Sequence, residues 1–345
     1  MPVGMQLPPH RDLAVHYGVS IITINKALSG LVSEGLLYSH VGRGTFVAVR
    51  PASTAGIAAP VTIGFVLRDL SSPFFSLVAH AVQQRADALG VGLLFASSSN
   101  RADREEEQIR RLRAFGVHGM LIVSMSRTYR ISGAIQQLHD EGYPYVMVSY
   151  TAGDDVPFVG VDLAEAGYVA TSHLLSLGHR RIGYIADRRG SLNGELRGAG
   201  YHRAMAEAGC AVDPALLLEY SFHGEWDDFK SGYALAEQVA AMTDRPDAMF
   251  VFNDIGALGF QEGLLDRGVR VPDDIAVVGL DDIELAARAR VPLTTVRQPV
   301  DEIGAHALDA VLARLRGERP PIRQLFPPTL VVRASSGAAL MGAPP

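Results

Sequence analysis

The chain has 345 residues, of which 48% are hydrophobic and 20% are charged, a balance that indicates a soluble globular protein with a large core. Its apolar runs are only strand-length, which excludes a membrane span, and its first residues, MPVGMQLPPH, lack the features of a signal peptide. The single cysteine, Cys210, allows no internal disulfide. We therefore expect a cytoplasmic protein of roughly two domains.

Charge is distributed unevenly along the chain. The net charge is −6, which by itself argues against binding to nucleic acid. Residues 1–50, however, carry four basic and two acidic side chains, whereas the rest carries 27 basic and 35 acidic ones. The first 50 residues therefore differ in kind from the rest, although their positive balance is small.

The first 50 residues predict a winged helix-turn-helix. A short helix is followed by the turn Gly18-Val19-Ser20, and Ser20 is placed to cap a second helix. Two short strands then flank the hairpin tip Val41-Gly42-Arg43-Gly44. The predicted helices span 11–16 and 21–34, and the strands span 36–39 and 45–49. In such a unit the second helix enters the major groove and the wing touches the DNA backbone or minor groove.

Two strings in this region, LPPHRDLAVHYGVS and EGLL…GRGTFV, resemble the gluconate-repressor (GntR) winged-helix family. The resemblance implies that operator DNA is a partner. It also implies DNA contacts by Arg11, Ser20, Thr23, Asn25 and Lys26 from the helices, and by Arg43, Gly44 and Thr45 from the wing. The alternative is a winged helix that no longer binds DNA and contacts a protein instead.

The chain departs from the family pattern in two ways. Ile21 and Asn25 stand where the family usually has arginines, which are bidentate readers of guanine, so base readout changes and the hold on phosphate weakens. The family also has a helix before the Leu-Pro turn, whereas only six residues precede Leu7 here. We therefore expect weak DNA binding by this chain and a coding start further upstream.

From residue 61 the pattern becomes alternating strands and helices, which predicts doubly wound parallel sheets. About ten strands favour two lobes. The predicted strands are 61–67, 91–96, 119–123, 144–149, 158–160, 181–186, 215–219, 248–252, 275–280 and 329–333. The predicted domains are a winged helix at 1–49, a linker at 50–60 and an effector domain at 61–336, with lobe 1 at about 61–160 and 293–322 and lobe 2 at about 161–290 and 323–336.

The stretch AMFVFNDIGALGFQEGLLDRGVRVPDDIAVVGLDD, residues 248–282, predicts strand, helix and strand, and such a crossover makes the two strands parallel. Asn253 and Asp281 end these strands at the same edge, where open α/β sheets bind ligands. The alternative is that both are turn or cap residues. Asp281 and Asp282 would point to opposite faces, which makes them a poor acid–base pair.

Further motifs resemble the effector domain of the lactose/galactose-repressor family, which is itself similar to periplasmic sugar-binding proteins. They include VTIGFVLRDLSSPFF, LGHRRIGYIA, ELRGAGYHRAM and VPDDIAVVGLDDIELA, and the resemblance extends to about Ser336. It implies two Rossmann-like lobes joined by three crossover strands, with ligand in the cleft. Fused to a GntR-type winged helix, this domain resembles the arabinose-repressor subfamily.

Several other side chains are candidates for ligand binding. Phe74 and Phe75 either floor the site or begin a core helix. Arg197 lies in a predicted Gly-rich loop with Ser191 and Asn193, where it either binds paired ligand oxygens or makes a surface salt bridge. Trp226 stacks on a sugar or base, or packs internally. Asp69 and Tyr150 end strands and have weaker claims.

The sequence contains no P-loop, GxSxG, HExxH or Cys/His cluster, so we predict no catalytic residue, metal site or cofactor. We predict a ligand-responsive regulator of transcription, a repressor that acts as a homodimer on operator DNA. We expect a monosaccharide effector over a purine, and a sugar phosphate if Arg68 and Arg188 join Arg197. The alternatives are a periplasmic-type solute-binding protein and an enzyme on a Rossmann-like fold.

Overall fold

The computed structural model describes residues 5–33, 37–40, 44–47, 61–124, 131–149, 156–187, 190–220 and 227–337. The chain divides into two compact units, Met1–Ala59 and Pro60–Pro345. Each unit has its own core, and each is described by itself.

The N-terminal unit has the predicted order of helix, turn, helix and β-hairpin. Its elements are α1 (His10–Tyr17), α2 (Ile21–Ser33), β1 (Leu37–His40) and β2 (Gly44–Val47), and the two strands pair antiparallel. Gly18 ends α1 with φ 65°, and the Ser20 hydroxyl accepts a hydrogen bond from the Thr23 backbone N–H at 3.1 Å. The predicted cap at Ser20 is therefore confirmed. Ile24 and Leu28 on α2 and Leu37 on β1 form a small core.

The C-terminal unit contains two six-stranded sheets covered by helices. Its strands are β3 (Thr62–Leu67), β4 (Gly92–Ser97), β5 (Gly119–Ile122), β6 (Tyr145–Val148), β7 (Phe158–Val161), β8 (Ile182–Ala186), β9 (Leu217–Glu219), β10 (Ala248–Val251), β11 (Ala276–Asp281), β12 (Thr294–Arg297), β13 (Arg323–Phe326) and β14 (Thr329–Val331). Its α-helices are α3 (Pro73–Leu89), α4 (Ala102–Ala114), α5 (Gly133–Asp140), α6 (Leu163–Ser176), α7 (Leu192–Glu207), α8 (Asp228–Ala240), α9 (Asp254–Leu265), α10 (Glu284–Arg288) and α11 (Val300–Leu315).

Each sheet forms the centre of one lobe. The lobe 1 sheet has the order β13-β7-β6-β5-β3-β4 and is parallel throughout. The lobe 2 sheet has the order β14-β12-β11-β10-β8-β9, and only β14 runs antiparallel to its neighbour. The predicted doubly wound two-lobed fold, including the parallel crossover from β10 to β11, is confirmed.

The lobe boundaries within the last 55 residues differ from those predicted. Two strands, β12 and β13, were not predicted, and they exchange lobes: β12 pairs with β11 in lobe 2, whereas β13 pairs with β7 in lobe 1. The predicted boundaries at 293 and 323 are therefore wrong for these strands. The strand β13 was missed because its residues alternate between exposed and partly buried at a sheet edge, which gives a weak apolar pattern. The lobe assignments were wrong because a sequence pattern does not indicate which of two sheets a strand joins.

Buried apolar strands form the two cores. Every residue of β5, β6 and β10 is buried, as expected for parallel strands that have helices on both faces. In the parts of the chain that the structure describes, no helix is both long enough and apolar enough to span a bilayer.

Helices α6 and α7 pack at backbone distance. A Cβ atom added at Gly200 of α7 would lie 1.9 Å from the carbonyl oxygen of Ala164 on α6, and one added at Gly167 of α6 would lie 2.0 Å from the carbonyl oxygen of Arg197. The prediction of a Gly-rich loop around Arg197 is therefore wrong, because these residues are helical. Gly167 and Gly200 allow the two helices to pack closely. In the sequence alone, glycines in a closely packed helix look the same as glycines in a loop.

Candidate functional site

A cavity of about 350 Å³ lies between the two lobes of the C-terminal unit. Six strands, β3, β6, β8, β10, β11 and β12, present their carboxyl ends to it. The residues at or just after these ends that line the cavity are Arg68, Ser149, Asp187, Asn253, Asp281 and Gln298. This is the edge at which doubly wound sheets bind ligands.

Asp281 is a buried carboxyl group at the end of β11. Its Oδ1 accepts a hydrogen bond from Gln298 Nε2 at 2.7 Å. Burial, together with repulsion by Asp254, raises the pKa of Asp281 well above its usual range, and the charge of Arg197 opposes this rise. Asp281 therefore offers the cavity a carboxyl group whose charge is unfavourable until a donor or cation approaches it.

The backbone at the end of β11 is held in an unusual conformation. Asp281 and Asp282 have φ values of 128° and 59°, a region that non-glycine residues rarely adopt. Asp282 faces away from the cavity and forms ion pairs with Arg297 at 2.6 Å and Arg333 at 2.5 Å. These ion pairs oppose the backbone strain at this turn. The two aspartates have different surroundings, as predicted for adjacent residues of a strand: Asp281 lines the cavity and Asp282 pairs with the two arginines.

Asn253 both caps a helix and lines the cavity. Its Oδ1 accepts from the Gly256 backbone N–H at 2.8 Å, which caps α9, and its Nδ2 donates to Asp228 Oδ2 at 2.7 Å. The two interpretations of Asn253, as a residue of the ligand site and as a helix cap, are therefore compatible. Burial raises the pKa of Asp228 to about 6, although the hydrogen bond from Asn253 and the charge of Arg68 act in the opposite direction.

The first two turns of α7 place Asn193 and Arg197 on the cavity wall. Ser191 does not line the cavity. Its hydroxyl accepts from the Gly194 N–H to cap α7 and donates to Asp187 Oδ2 at 2.7 Å. Arg197 is buried, and its guanidinium carbon lies 6.0 Å from the centre of the Phe252 ring. A surface salt bridge, the alternative considered for Arg197, is therefore wrong.

Phe74 and Phe75 begin α3 behind Pro73, and both line the cavity while belonging to the lobe 1 core. Their ring centres are 5.3 Å apart, and the guanidinium carbon of Arg68 lies 5.9 Å from the Phe75 ring centre. Asp69 also lines the cavity, where its Oδ1 accepts from the Ser71 N–H at 2.9 Å. Trp226 and Tyr150 lie outside the described residues.

Sequence reasoning missed several polar lining residues, among them Ser149, Asp187, Asp228 and Gln298. Arg68 was considered only as a possible cation for a phosphate. Ser149 and Asp187 follow buried strands directly, so the rule that identified Asn253 and Asp281 would also have identified them. Asp228 and Gln298 have weaker signals, because Asp228 starts a helix and Gln298 follows a strand that was itself not predicted.

The candidate DNA interface lies on the exposed face of α2 and the adjoining start of α1. Arg11, Thr23, Asn25 and Lys26 are exposed, as is Ser20. Gly44 is the first residue of β2, and Arg43 lies outside the described residues. Thr45 requires a correction: its side chain is only 5% exposed, because alternation along β2 turns it towards the interior. Its side chain therefore supports the wing and is not part of the interface.

His10, which sequence reasoning did not single out, connects α2 to the wing. Its Nδ1 lies 2.7 Å from Asn25 Oδ1, and its Nε2 lies 3.3 Å from Thr45 Oγ1. Because an amide oxygen can only accept, His10 Nδ1 donates to Asn25 Oδ1. Since this contact uses only the Oδ1 atom of Asn25, the NH₂ group of Asn25 remains available as a donor.

Known proteins resemble this chain along nearly its whole length. The HTH-type transcriptional regulator DegA of Bacillus subtilis is 32% identical over 339 residues, covering 94% of this chain and 97% of the relative. This chain belongs to the same family of HTH-type transcriptional regulators. It is therefore a regulator that joins a helix-turn-helix DNA-binding domain to an effector domain.

Other comparisons match parts of both units. The pattern described as "Bacterial regulatory proteins, gntR family" matches residues 1–47, and that of the periplasmic binding protein-like domain matches residues 171–336. The arabinose metabolism transcriptional repressor of Geobacillus stearothermophilus is 30% identical, covering 96% of this chain and 91% of the relative. The structure of a LacI family regulator from Lactobacillus casei with bound glucose is 26% identical, with a TM-score of 0.65 over 79% of this chain and 99% of the other.

Proposed function

We propose that this regulator is a repressor that binds operator DNA through its winged helix and a small sugar-like effector in the cavity between its lobes. One observation carries the effector assignment. Three polar atoms of residues on the cavity wall, Asn193 Nδ2, Ser149 Oγ and Asp228 Oδ1, are buried without a hydrogen-bond partner among the described residues. Buried polar groups in native proteins are paired, so these atoms indicate that a polar ligand binds here.

A monosaccharide or a close derivative fits this wall. Sugar hydroxyls both donate and accept hydrogen bonds, and the wall offers donors from Asn193 and Arg197 and acceptors from Asp228 and Asp281. Phe74 and Phe75 supply apolar ring surface for the C–H face of a sugar. The volume is at the low end of the range for small-molecule sites, about 300–1,000 Å³. The related regulator with bound glucose supports the same class of ligand.

Closure of the two lobes would transmit binding to DNA. The chain crosses between lobes three times, after β7, after β12 and after β13, and the cavity lies between them. A ligand that contacts both lobes favours the closed arrangement and so shifts the equilibrium between two conformations of the C-terminal unit. We propose that the protein acts in the cytoplasm, where its DNA is, and that it binds its effector without chemical change.

A solute-binding protein without DNA function is the competing proposal. The two proposals are separated by selecting sequences from a random duplex DNA library, once with the full chain and once with residues 60–345 as the immobilised protein. We expect repeated selection to enrich a two-fold symmetric sequence on the full chain only. A plain solute-binding protein would enrich no sequence on either protein.

We further propose that the regulator is a homodimer through lobe 1. Among the strands that the structure describes, β4 is an edge strand that pairs only with β3, and both Leu94 and Phe95 on it are 41% exposed. An exposed apolar edge strand is a surface that proteins normally cover, and operators usually have two-fold symmetry.

Phe95→Asp is therefore expected to convert the dimer to a monomer at micromolar concentration, as measured by analytical ultracentrifugation. The matched control is Phe115→Asp, because Phe115 is 65% exposed at the end of α4. It should leave the dimer intact. A parent protein that is already monomeric, or a dimer that survives Phe95→Asp, would contradict the assignment.

His10→Ala is expected to weaken binding to the selected operator by about tenfold, because the Asn25 amide loses the partner that orients it. Fluorescence anisotropy measures the affinity. His16→Ala is the control, since His16 is exposed on the same helix and should change the affinity less than about twofold. A double-mutant cycle with Asn25→Ala should show non-additive losses, and additive losses would show that the two side chains act independently.

A further inference from the structure

Two isoleucines begin the second helix of the N-terminal unit, and neither belongs to the core that the described residues of this unit form. Ile22, the second residue of α2, is 75% exposed, and Ile21 before it is 41% exposed. The core includes Ile24 and Leu28 of α2 instead. Isoleucine also favours helices only weakly, because its branched side chain loses freedom there. Neither packing within the unit nor helix formation therefore accounts for Ile22.

The position of Ile22 on α2 is one from which base edges are read. Successive residues turn by about 100° about a helix axis, so Ile22 lies about 200° from the buried Ile24, on the outer side of α2. In helix-turn-helix proteins, the N-terminal residues of the second helix contact base edges in the major groove. Under the proposed function, Ile22 is therefore one of the first side chains to meet the bases.

The residue types that α2 lacks restrict what it can read. Its sequence, IITINKALSGLVS, contains no aspartate, glutamate or arginine. An arginine would bind guanine through two hydrogen bonds, and an acidic side chain would accept from the amino group of cytosine. The one charged residue of α2 is Lys26, which is exposed and supplies a point charge for phosphate. The outer side of α2 thus lacks the arginine and acidic readers of a G·C pair.

Asn25 lies three residues beyond Ile22, on an adjoining part of the helix surface, and its amide is held in one orientation. Its Oδ1 accepts from His10 Nδ1 at 2.7 Å. This contact leaves a second lone pair on Oδ1 and both N–H groups of Nδ2 for other partners. An amide that presents an acceptor beside a donor matches adenine, whose N6 amino group donates and whose N7 accepts. Asn25 is therefore oriented with the groups that an A·T pair requires.

We propose that α2 reads A·T pairs in each operator half-site, with Ile22 against the C5-methyl group of a thymine and Asn25 on a nearby adenine. Thymine is the base that presents a methyl group in the major groove, and apolar side chains contact it there. Removing one methyl group from water against Ile22 strengthens binding by about fourfold. This inference rests on the proposed function of the N-terminal unit as the domain that binds operator DNA.

The test uses the full-length protein and the duplex that it selects from the random library. Deoxyuridine, which lacks only the C5-methyl group, replaces each thymine of the duplex in turn, and fluorescence anisotropy measures the affinity. We expect one position at which this replacement weakens binding about fourfold in one half-site and about 15-fold in both. Ile22→Ala removes an exposed side chain and leaves α2 a better helix former, so it should fold like the parent. It should respond less than about twofold to deoxyuridine at that position.

An adenine of the same half-site tests Asn25. 7-Deazaadenine carries a C–H group in place of the N7 acceptor and so removes one hydrogen bond to the amide. We expect one adenine at which this replacement weakens binding by the parent protein about fivefold, the loss expected for one neutral hydrogen bond. Asn25→Ala should respond less than about twofold at the same adenine.

Val15→Ala is the matched control, since Val15 is an aliphatic residue of α1 that is 83% exposed, and it should bind every duplex as the parent does. The inference would be overturned if every thymine of the operator tolerated deoxyuridine, or if Ile22→Ala or Asn25→Ala responded to its modified base as the parent does. Unchanged operator affinity in Ile22→Ala would also overturn it and would assign the exposed isoleucine to a protein partner. In these cases an operator exists and the proposed function stands. Failure of the full chain to enrich any duplex would overturn the proposed function, and the inference with it.

Discussion

Gly200→Ala is expected to lower the free energy of unfolding by about 3 kcal/mol, because the added methyl group cannot be accommodated by side-chain rotation. Its Cβ would lie 1.9 Å from the carbonyl oxygen of Ala164 and 2.5 Å from the amide nitrogen of Tyr168, both backbone atoms of α6. The two helices would have to move apart. Since α7 carries Asn193 and Arg197 to the cavity, this displacement should weaken effector binding as well. Urea unfolding followed by circular dichroism measures the loss.

Gly198→Ala is the matched control on the same helix. A Cβ at Gly198 meets a ring carbon of Tyr184 at 3.4 Å, which is an ordinary contact. The helix propensity of alanine exceeds that of glycine by about 1 kcal/mol, so this variant should be as stable as the parent or more stable. If Gly200→Ala and Gly198→Ala unfolded at the same urea concentration, the close contact between α6 and α7 would be refuted.

Asp281→Ala is expected to reduce effector affinity by about 2–4 kcal/mol, which corresponds to a loss of about 30- to 800-fold. The substitution removes a buried acceptor and leaves the Gln298 amide and the ligand's donors unpaired. The affinity is measured by calorimetry with the monosaccharide or derivative that most raises the melting temperature of the parent protein.

Two further variants separate binding from folding. Asp281→Asn keeps the size of the side chain at a backbone position with φ 128°, which alanine tolerates poorly, so it should fold like the parent and still lose most of the affinity. Asp244→Ala removes a carboxyl group from a side chain that is 82% exposed and should bind as the parent does. If Asp281→Asn bound the same sugar as tightly as the parent, Asp281 would not be a ligand contact.

The sequence predicted the elements that have strong local signals. Apolar runs such as those of β10 and β11, each followed by polar residues, were sufficient to place Asn253 and Asp281 at one edge of one sheet. The cap at Ser20 follows from the same kind of local chemistry. Both depend on residues close in sequence, which is why they could be derived without coordinates.

Features that depend on distant contacts were not predicted. The exchange of β12 and β13 between lobes depends on which strand each one pairs with. Gly200 near Arg197 looked like a loop residue because the carbonyl group it approaches, that of Ala164, lies on a different helix, α6. Burial of Thr45, and its contact with His10, likewise depend on how the wing packs. Asp228 and Asn253 are 25 residues apart in the sequence and become neighbours on the cavity wall only in the folded chain.

Fluorescence anisotropy with the duplex selected by the full chain shows whether the effector controls DNA binding. The operator is titrated with protein in the absence and in the presence of the saturating sugar that binds the parent cavity. We expect a specific complex whose affinity changes at least about tenfold on adding the sugar, a coupling of about 1.4 kcal/mol, and no such change in Asp281→Asn. An operator affinity that is the same with and without a sugar bound in the cavity would show that the effector does not control DNA binding.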